Sequence, residues 1–309
     1  MAEREIAWEE IDEGVWLGEG PERGPTVGIT VGVHGHETAG GIVADDILQG
    51  RLPLQLDRGR VYLIKANPKA MRAGIKQTED FNMNRGFRPL TPAEKAQNPA
   101  DLPYELRRAQ QLLQYLGRSQ ALLDLHESTN HMAHPFIIAE RNAFMTAIAI
   151  GAPVISSGWG KDKAEMGGTD DYMHRKGTEG ICYELGWVGE PAANASLGHQ
   201  VVRRYLGAQG LIDQQPEPLF ADVAEPRFID VDYAVIRNHD HWRLGDPGFQ
   251  TFDRVRQGEL IVEHGDDRHI AHESAVVMFP YPNPSKGSEG VVVGTELDAK
   301  QVLLELTAG

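Results

Sequence analysis

The sequence predicts an α/β protein: a mixed β-sheet flanked by helices, followed by a small C-terminal all-β domain. Three observations carry this reading. Over residues 1–215, apolar β-rich runs alternate with segments of helical periodicity, the pattern of a sheet and its covering helices. Gln214-Gln215-Pro216-Glu217-Pro218 then punctuates the chain. Beyond it, residues 220–309 become short β-like runs divided by turns such as Gly245-Asp246-Pro247-Gly248 and Pro280-Tyr281-Pro282-Asn283-Pro284.

The elements follow in order. Residues 26–33 form an apolar run that reads as a buried strand, and His34-Gly35-His36-Glu37 turns from it toward a helix over 40–48. A second strand covers 60–66, and residues 86–101, with Pro89, Pro92 and Pro99, read as a surface loop. A helix over 102–116 precedes a buried strand at 121–125, a strand at 135–139 and a helix at 142–150. A strand at 180–185 and a helix at 193–206 complete the unit. In that helix Val201, Val202, Tyr205 and Leu206 recur at helical spacing, with Arg203 and Arg204 outside. Sheets of this kind bind ligands beyond the carboxyl ends of their strands, and His34 and Glu37 lie just past one such end.

The bulk properties narrow the function classes. The chain has 309 residues, 41% apolar and 24% charged, with a formal net charge of -15. That charge argues against nucleic acid or an anionic membrane as a main partner, since both need clustered Lys and Arg. An anionic small molecule would need a local cationic pocket. Cys182 is the only cysteine, so no disulfide framework exists and a reducing cytoplasm is expected. The start, Met1-Ala2-Glu3-Arg4-Glu5, is charged with no apolar signal region after it, and no run reaches the ~18 apolar residues of a membrane span. Homo-oligomerisation is left open.

His34 and Glu37 offer an imidazole and a carboxylate from one turn, as two of the three protein ligands of a catalytic zinc would. His126, at the end of the buried run Ala121-Leu122-Leu123-Asp124-Leu125-His126, is the third candidate ligand, and Asp124 is a candidate to hold that ring's second nitrogen. Glu184 stands alone in the apolar run Gly180-Ile181-Cys182-Tyr183-Glu184-Leu185-Gly186. A buried, unpaired carboxylate is costly, which leaves a salt bridge, a solvated face or a general base beside the metal. The last reading is preferred because the three segments converge on one chemistry. Asn84-Arg85 supplies a guanidinium suited to a carboxylate, although such a pair is by default a surface loop.

The order His34-x-x-Glu37, Asn84-Arg85, Asp124-Leu125-His126, Glu184 resembles the zinc carboxypeptidase superfamily. The run Gly167-Gly168-Thr169-Asp170-Asp171-Tyr172, leading into 177–185, is similar to the segment before the catalytic Glu of carboxypeptidase A-type enzymes. The closer resemblance is to the succinylglutamate desuccinylase and aspartoacylase branch. Its Gly-x-His-Gly-x-Glu motif is matched by Gly32 to Glu37 and its Asn-Pro-x-Ala segment by Asn67-Pro68-Lys69-Ala70, and it too has a short C-terminal β domain. The resemblance covers residues 26–200 well and the remainder loosely.

It implies a mononuclear zinc amidohydrolase, with one Zn2+ per chain held by His34, Glu37 and His126 and with Glu184 as base. Asn84 and Arg85 would hold a substrate carboxylate, with Arg175 as a further candidate. Two departures stand out. Lys76-Gln77-Thr78 occupies the place of the family's carbonyl-polarising arginine, leaving Arg72 and Lys76 as candidates, and Asn82 replaces the aspartate of Asp-x-Asn-Arg. The expectation is a cytoplasmic deacylase acting on a small N-acyl amino acid or related amide. One rival is a zinc carboxypeptidase or cell-wall peptide amidase, although His36 stands where carboxypeptidases commonly carry arginine. Another is a non-catalytic zinc- or ligand-binding homologue.

Other features read as structural. His239-Asp240-His241 is expected on a solvated strand, His264, His269 and His272 on the surface, and Trp159, Trp187 and Trp242 in packing. The segment from Pro247 to Ile261 resembles a lipoyl-type β sandwich but lacks the turn lysine, so no carrier function is expected.

Overall fold

The computed structural model describes residues 6–131, 133–161, 166–213, 219–220 and 225–308. The chain opens with a hairpin, β1 (Trp8–Asp12) and β2 (Val15–Glu19), and enters β3 (Glu22–Val31), followed by α1 (Thr38–Leu48) and β4 (Arg58–Lys65). The Asn-Pro-x-Ala motif opens α2 (Pro68–Ala73) for a local reason: Asn67 accepts the Ala70 amide at 3.1 Å, Pro68 needs no amide partner, and Gly74 closes the helix in the left-handed region. Within the expected loop lies α3 (Pro92–Lys95), closed by a Thr91/Glu94 capping box. Then come α4 (Tyr104–Leu116), β5 (Ala121–Ser128), β6 (Phe136–Ala139) and α5 (Phe144–Ile150). β7 (Val154–Ser157), α6 (Thr169–Arg175), β8 (Glu179–Trp187) and α7 (Pro191–Ala208) complete the first two thirds.

The rest comprises β9 (Arg227–Ile236), β10 (Trp242–Leu244), β11 (Asp253–Val255), β12 (Leu260–His264), β13 (Asp267–Ile270), β14 (Ala275–Met278) and β15 (Glu289–Leu297). A helix not anticipated by the β reading, α8 (Ala299–Ala308), follows.

Among the described residues, twelve strands form one mixed sheet in the order β1-β2-β4-β3-β5-β8-β6-β7-β9-β15-β14-β11, and β10-β12-β13 form a separate small sheet. The expected boundary at 214–218 lies outside the described residues; beyond it β9, β15, β14 and β11 extend the large sheet. At its centre β4, β3, β5 and β8 run parallel, and β5 is buried along its whole length. Parallel strands of that kind must be covered on both faces. One face packs Val27, Ile29, Val31 and Leu123 against α1 and α7, where Val43, Val201, Val202 and Leu206 are buried. The other packs Tyr62, Ile64 and Leu122 against Ala109, Leu112, Leu116 and Met173 of α4 and α6. Each such fully buried Val or Leu contributes roughly 1.5–3 kcal/mol.

All five strands and four helices read from the sequence are present, with shifted ends. β5 runs on to Ser128, so His126 lies within the strand rather than at its end. Among the described residues no helix is long and apolar enough to cross a membrane.

Candidate active site

The site forms at the carboxyl ends of three adjacent parallel strands. His34 follows β3, His126 lies in β5, and Glu184 lies in β8 directly across from His126 in the strand register. Register partners share one face of the sheet, so His126 and Glu184 emerge side by side. The turn that brings His34 and Glu37 to them lies against α2. A side chain at Gly35 would collide with the backbone of Ala70 and Met71, so glycine is required by close approach. Gly32 is required by its φ of +66°, and a Cβ there would also strike Met71.

His34, Glu37 and His126 are all buried and present one donor atom each within 4.8 Å of one another. The carboxylate of Glu37 bridges the rings: Oε1 is 2.6 Å from His34 Nδ1 and Oε2 is 3.0 Å from His126 Nδ1. The outer nitrogens of both rings are held by the fold. Asn82 Oδ1 accepts the Asn84 amide at 3.0 Å, so the atom facing His34 Nε2 at 2.9 Å is an acceptor, and Nε2 donates to it. His126 Nε2 donates to Asp124 Oδ2 at 3.1 Å, and Asp124 also accepts from the Thr169 hydroxyl. With both Nε2 atoms donating outward, both Nδ1 atoms face Glu37, the positions a metal would take in exchange for any proton there. Two such nitrogens and a carboxylate are the donor set of a catalytic zinc with an open fourth position.

The electrostatics agree. Burial opposes ionisation of Glu37, but the His34 and His126 imidazoles hold it well below the usual carboxylate range. Burial likewise opposes charge on His126, yet Asp124 and Glu37 raise it well above the ordinary histidine value. The same carboxylates make the ring a strong donor toward a cation. Glu184 is pushed up to about 8 by burial, which Glu37, Asp124 and Glu127 reinforce against the pull of His126. Its Oε2 is sealed from solvent with no hydrogen-bond partner among the described residues. A carboxylate with one buried, unsatisfied oxygen beside a group of residues that could hold a metal is poised to exchange a proton with something bound there.

Comparison with known proteins supplies the lineage. A family model described as the succinylglutamate desuccinylase/aspartoacylase catalytic domain matches residues 23–205. The chain belongs to that family. It is 30% identical over 275 residues to an N-acyl-aromatic-L-amino acid amidohydrolase (carboxylate-forming) of Rattus norvegicus, covering 82% of this chain and 84% of that one. It is 32% identical over 270 residues to a probable aspartoacylase of a Nostoc species, covering 82% and 89%. The succinylglutamate desuccinylase of Vibrio cholerae shares the fold at 19% identity, with a TM-score of 0.72 over 95% of this chain and 88% of that one. As a member of the succinylglutamate desuccinylase/aspartoacylase family, the protein is a hydrolase of non-peptide amide bonds, a deacylase.

Around His34, Glu37 and His126 lies a cavity of about 250 Å³. Asn84 and Arg85 line it, as expected, and Asn84 Oδ1 is buried without a partner among the described residues. Lys76 lines it too, whereas Arg72 does not; Arg72 reaches toward Glu13 at 3.9 Å. Arg175 is not among the lining residues: it holds Asp171 at 3.0 Å and donates to the Phe87 carbonyl at 2.9 Å. The loop carrying Lys76 and Asn82 is tied down by buried Glu105, which accepts from both the amide and hydroxyl of Thr78.

Sequence reasoning missed the far wall. Phe279 and Tyr281, in the connection after β14, and Glu289, at the start of β15, line the cavity with Trp159 and Ile138. Trp159 packs as expected, donating to Ser156 Oγ at 2.9 Å, and also faces the cavity. Two histidine expectations are corrected. His264 is buried rather than on the surface, because its Nε2 accepts the amides of Asn238 (2.7 Å) and His239 (3.2 Å) beside Trp242. His239-Asp240-His241 lies in the connection between β9 and β10, outside any strand.

Proposed function

We propose that this protein is a zinc-dependent deacylase that hydrolyses the amide of an N-acyl amino acid or a similar small carboxylate-bearing amide. The observation that carries the reading is one constellation: a buried His-Glu-His donor set, and Glu184 in register beside it with an Oε2 that has no hydrogen-bond partner among the described residues. The names of the rat and Nostoc relatives, an N-acyl amino acid amidohydrolase and an aspartoacylase, support the same substrate class.

His34, Glu37 and His126 would hold the zinc, which when bound supplies Lewis acidity toward water and the scissile carbonyl. Glu184 takes a proton from the attacking water and returns it to the departing amine nitrogen. Burial raises the proton affinity of Glu184, which favours accepting the proton, and the charge of a bound zinc would oppose that rise, which favours giving it back. Lys76 lends positive charge to the carbonyl oxygen from the place where the family carries arginine. Asn84 and Arg85 orient the substrate carboxylate.

Replacing Glu184 with Gln keeps the shape and removes the base. Hydrolysis of N-acyl amino acids should fall about 10²–10⁴-fold, while zinc, measured by metal analysis, stays bound. A variant that retains activity would refute the mechanism. Turnover of C-terminally free dipeptides with none of N-acyl amino acids would favour the peptidase rival instead.

A further inference from the structure

The two named relatives differ in the side chain their names imply, aromatic in one and acidic in the other. The geometry of the cavity points to one of them. Trp159 and Phe279 meet edge to face with ring centroids 5.9 Å apart, and Phe279 stacks on Tyr281 at 6.4 Å with planes 9° apart. The three rings form an aromatic wall, with the Tyr281 hydroxyl engaged by Thr129 and Ser128. Phe279 holds its place at a φ of +49°, a conformation unfavourable for a bulky side chain, with its amide donating to Thr251 Oγ1 at 3.1 Å. The Tyr281 carbonyl accepts the Trp242 indole N–H at 3.0 Å, which fixes the next corner.

Charge in the same wall runs against a second carboxylate. Lys76 and Arg85 are the lysine and arginine among the lining residues, and Glu140 and Glu289 stand with them. Glu289, at the start of β15, accepts from Arg85 Nη2 at 3.0 Å. Arg85 Nη1 also donates to the Asn84 carbonyl at 3.0 Å, so the fold itself engages the guanidinium and a substrate carboxylate has to share it. With Arg85 shared and Lys76 placed at the scissile carbonyl, a side-chain carboxylate would enter beside the like charges of Glu140 and Glu289, a cost that discriminates between substrates.

We propose that Glu289 is a specificity-determining residue. By holding Arg85 it excludes substrates with a side-chain carboxylate, and with the wall of Trp159, Phe279 and Tyr281 it directs the site to N-acyl amino acids bearing flat apolar side chains. This rests on the deacylase reading and names the substrate within it.

The test compares N-acetyl-L-phenylalanine with N-acetyl-L-aspartate. The wild-type enzyme should favour the former in kcat/KM by at least about 100-fold. Glu289→Gln should shrink that ratio about tenfold by raising the aspartate value. Phe279→Ala should shrink it by lowering the phenylalanine value. Calorimetric binding of both amides to the Glu184→Gln protein should show the same order without turnover. Preference for the aspartate compound, or a ratio that Glu289→Gln leaves unchanged, overturns the inference. If neither amide is cleaved the deacylase reading falls, and the calorimetric order alone still decides the preference.

Discussion

Asp124→Asn isolates how the fold prepares a histidine to bind metal. Asp124 is completely buried, and its Oδ2 receives both the His126 Nε2 proton at 3.1 Å and the Thr169 hydroxyl. Asparagine can place its oxygen where Oδ2 stands and keep both hydrogen bonds. Two things change. The charge behind His126 disappears, so its Nδ1 becomes a weaker donor, an effect of about 10–100-fold in metal affinity, or roughly 1.4–2.8 kcal/mol. The new amide nitrogen occupies the place of Oδ1, which has no partner among the described residues, and a buried donor left in that way costs about 1–3 kcal/mol of stability. Competition with a chromophoric chelator reads the first effect, and thermal unfolding of metal-free protein reads the second. Zinc affinity within twofold of wild type in a folded variant would refute the claim that Asp124 steers His126.

Two further perturbations test other links. Gly35→Ala adds a methyl group against the backbone of Ala70, and the turn cannot retreat without displacing His34 and Glu37. Overpacking should cost about 1–3 kcal/mol and zinc content should drop with it; a variant with normal metal content would contradict the close-approach argument. Glu296 receives bidentate hydrogen bonds from Arg227 (2.9 and 3.1 Å) and Arg254 (2.7 and 2.9 Å), joining β9, β11 and β15. The Arg227 hydrogen bonds, more than Arg254 and against burial, lower it from 4.5 to about 2. A depressed folded-state value stabilises above pH 4.5 and loses that contribution as pH falls toward 2. The full shift corresponds to about 3 kcal/mol, reduced to roughly 1–2 because Arg254 stands largely in solvent. Glu296→Gln should therefore lower the unfolding free energy at pH 7 and converge with wild type near pH 2; a pH-independent difference would contradict the assignment.

What the sequence revealed and what it hid divide along physical lines. β3, β5 and β8 were legible because buried parallel strands are written as continuous apolar runs, and His34, His126 and Glu184 stand out in or beside those runs as polar exceptions. The edge strand β1, Trp8-Glu9-Glu10-Ile11-Asp12, was not legible, since charge on an exposed edge masks its pairing with β2. The short helices α2 and α6 fit within a turn or two and carry little periodicity. Asn82 gave no sign of its contact with His34, because 48 positions and a loop separate them. Glu289 met Arg85 across 204 positions, a pairing only the folded sheet creates. Arg175 looked like a site residue by its place before Glu184, yet α6 turns it onto Asp171. Local pattern records what each strand buries; it does not record which distant loop closes over the strand ends.

The most direct test of the central claim is the metal content of purified protein set beside that of the His34→Ala/His126→Ala double variant, with folding of both checked by thermal unfolding. The account predicts about one zinc per chain in the wild type, almost none in the folded double variant, and hydrolysis that a chelator abolishes and zinc restores. Zinc retained by the double variant, or full hydrolysis by metal-free wild-type protein, would contradict it.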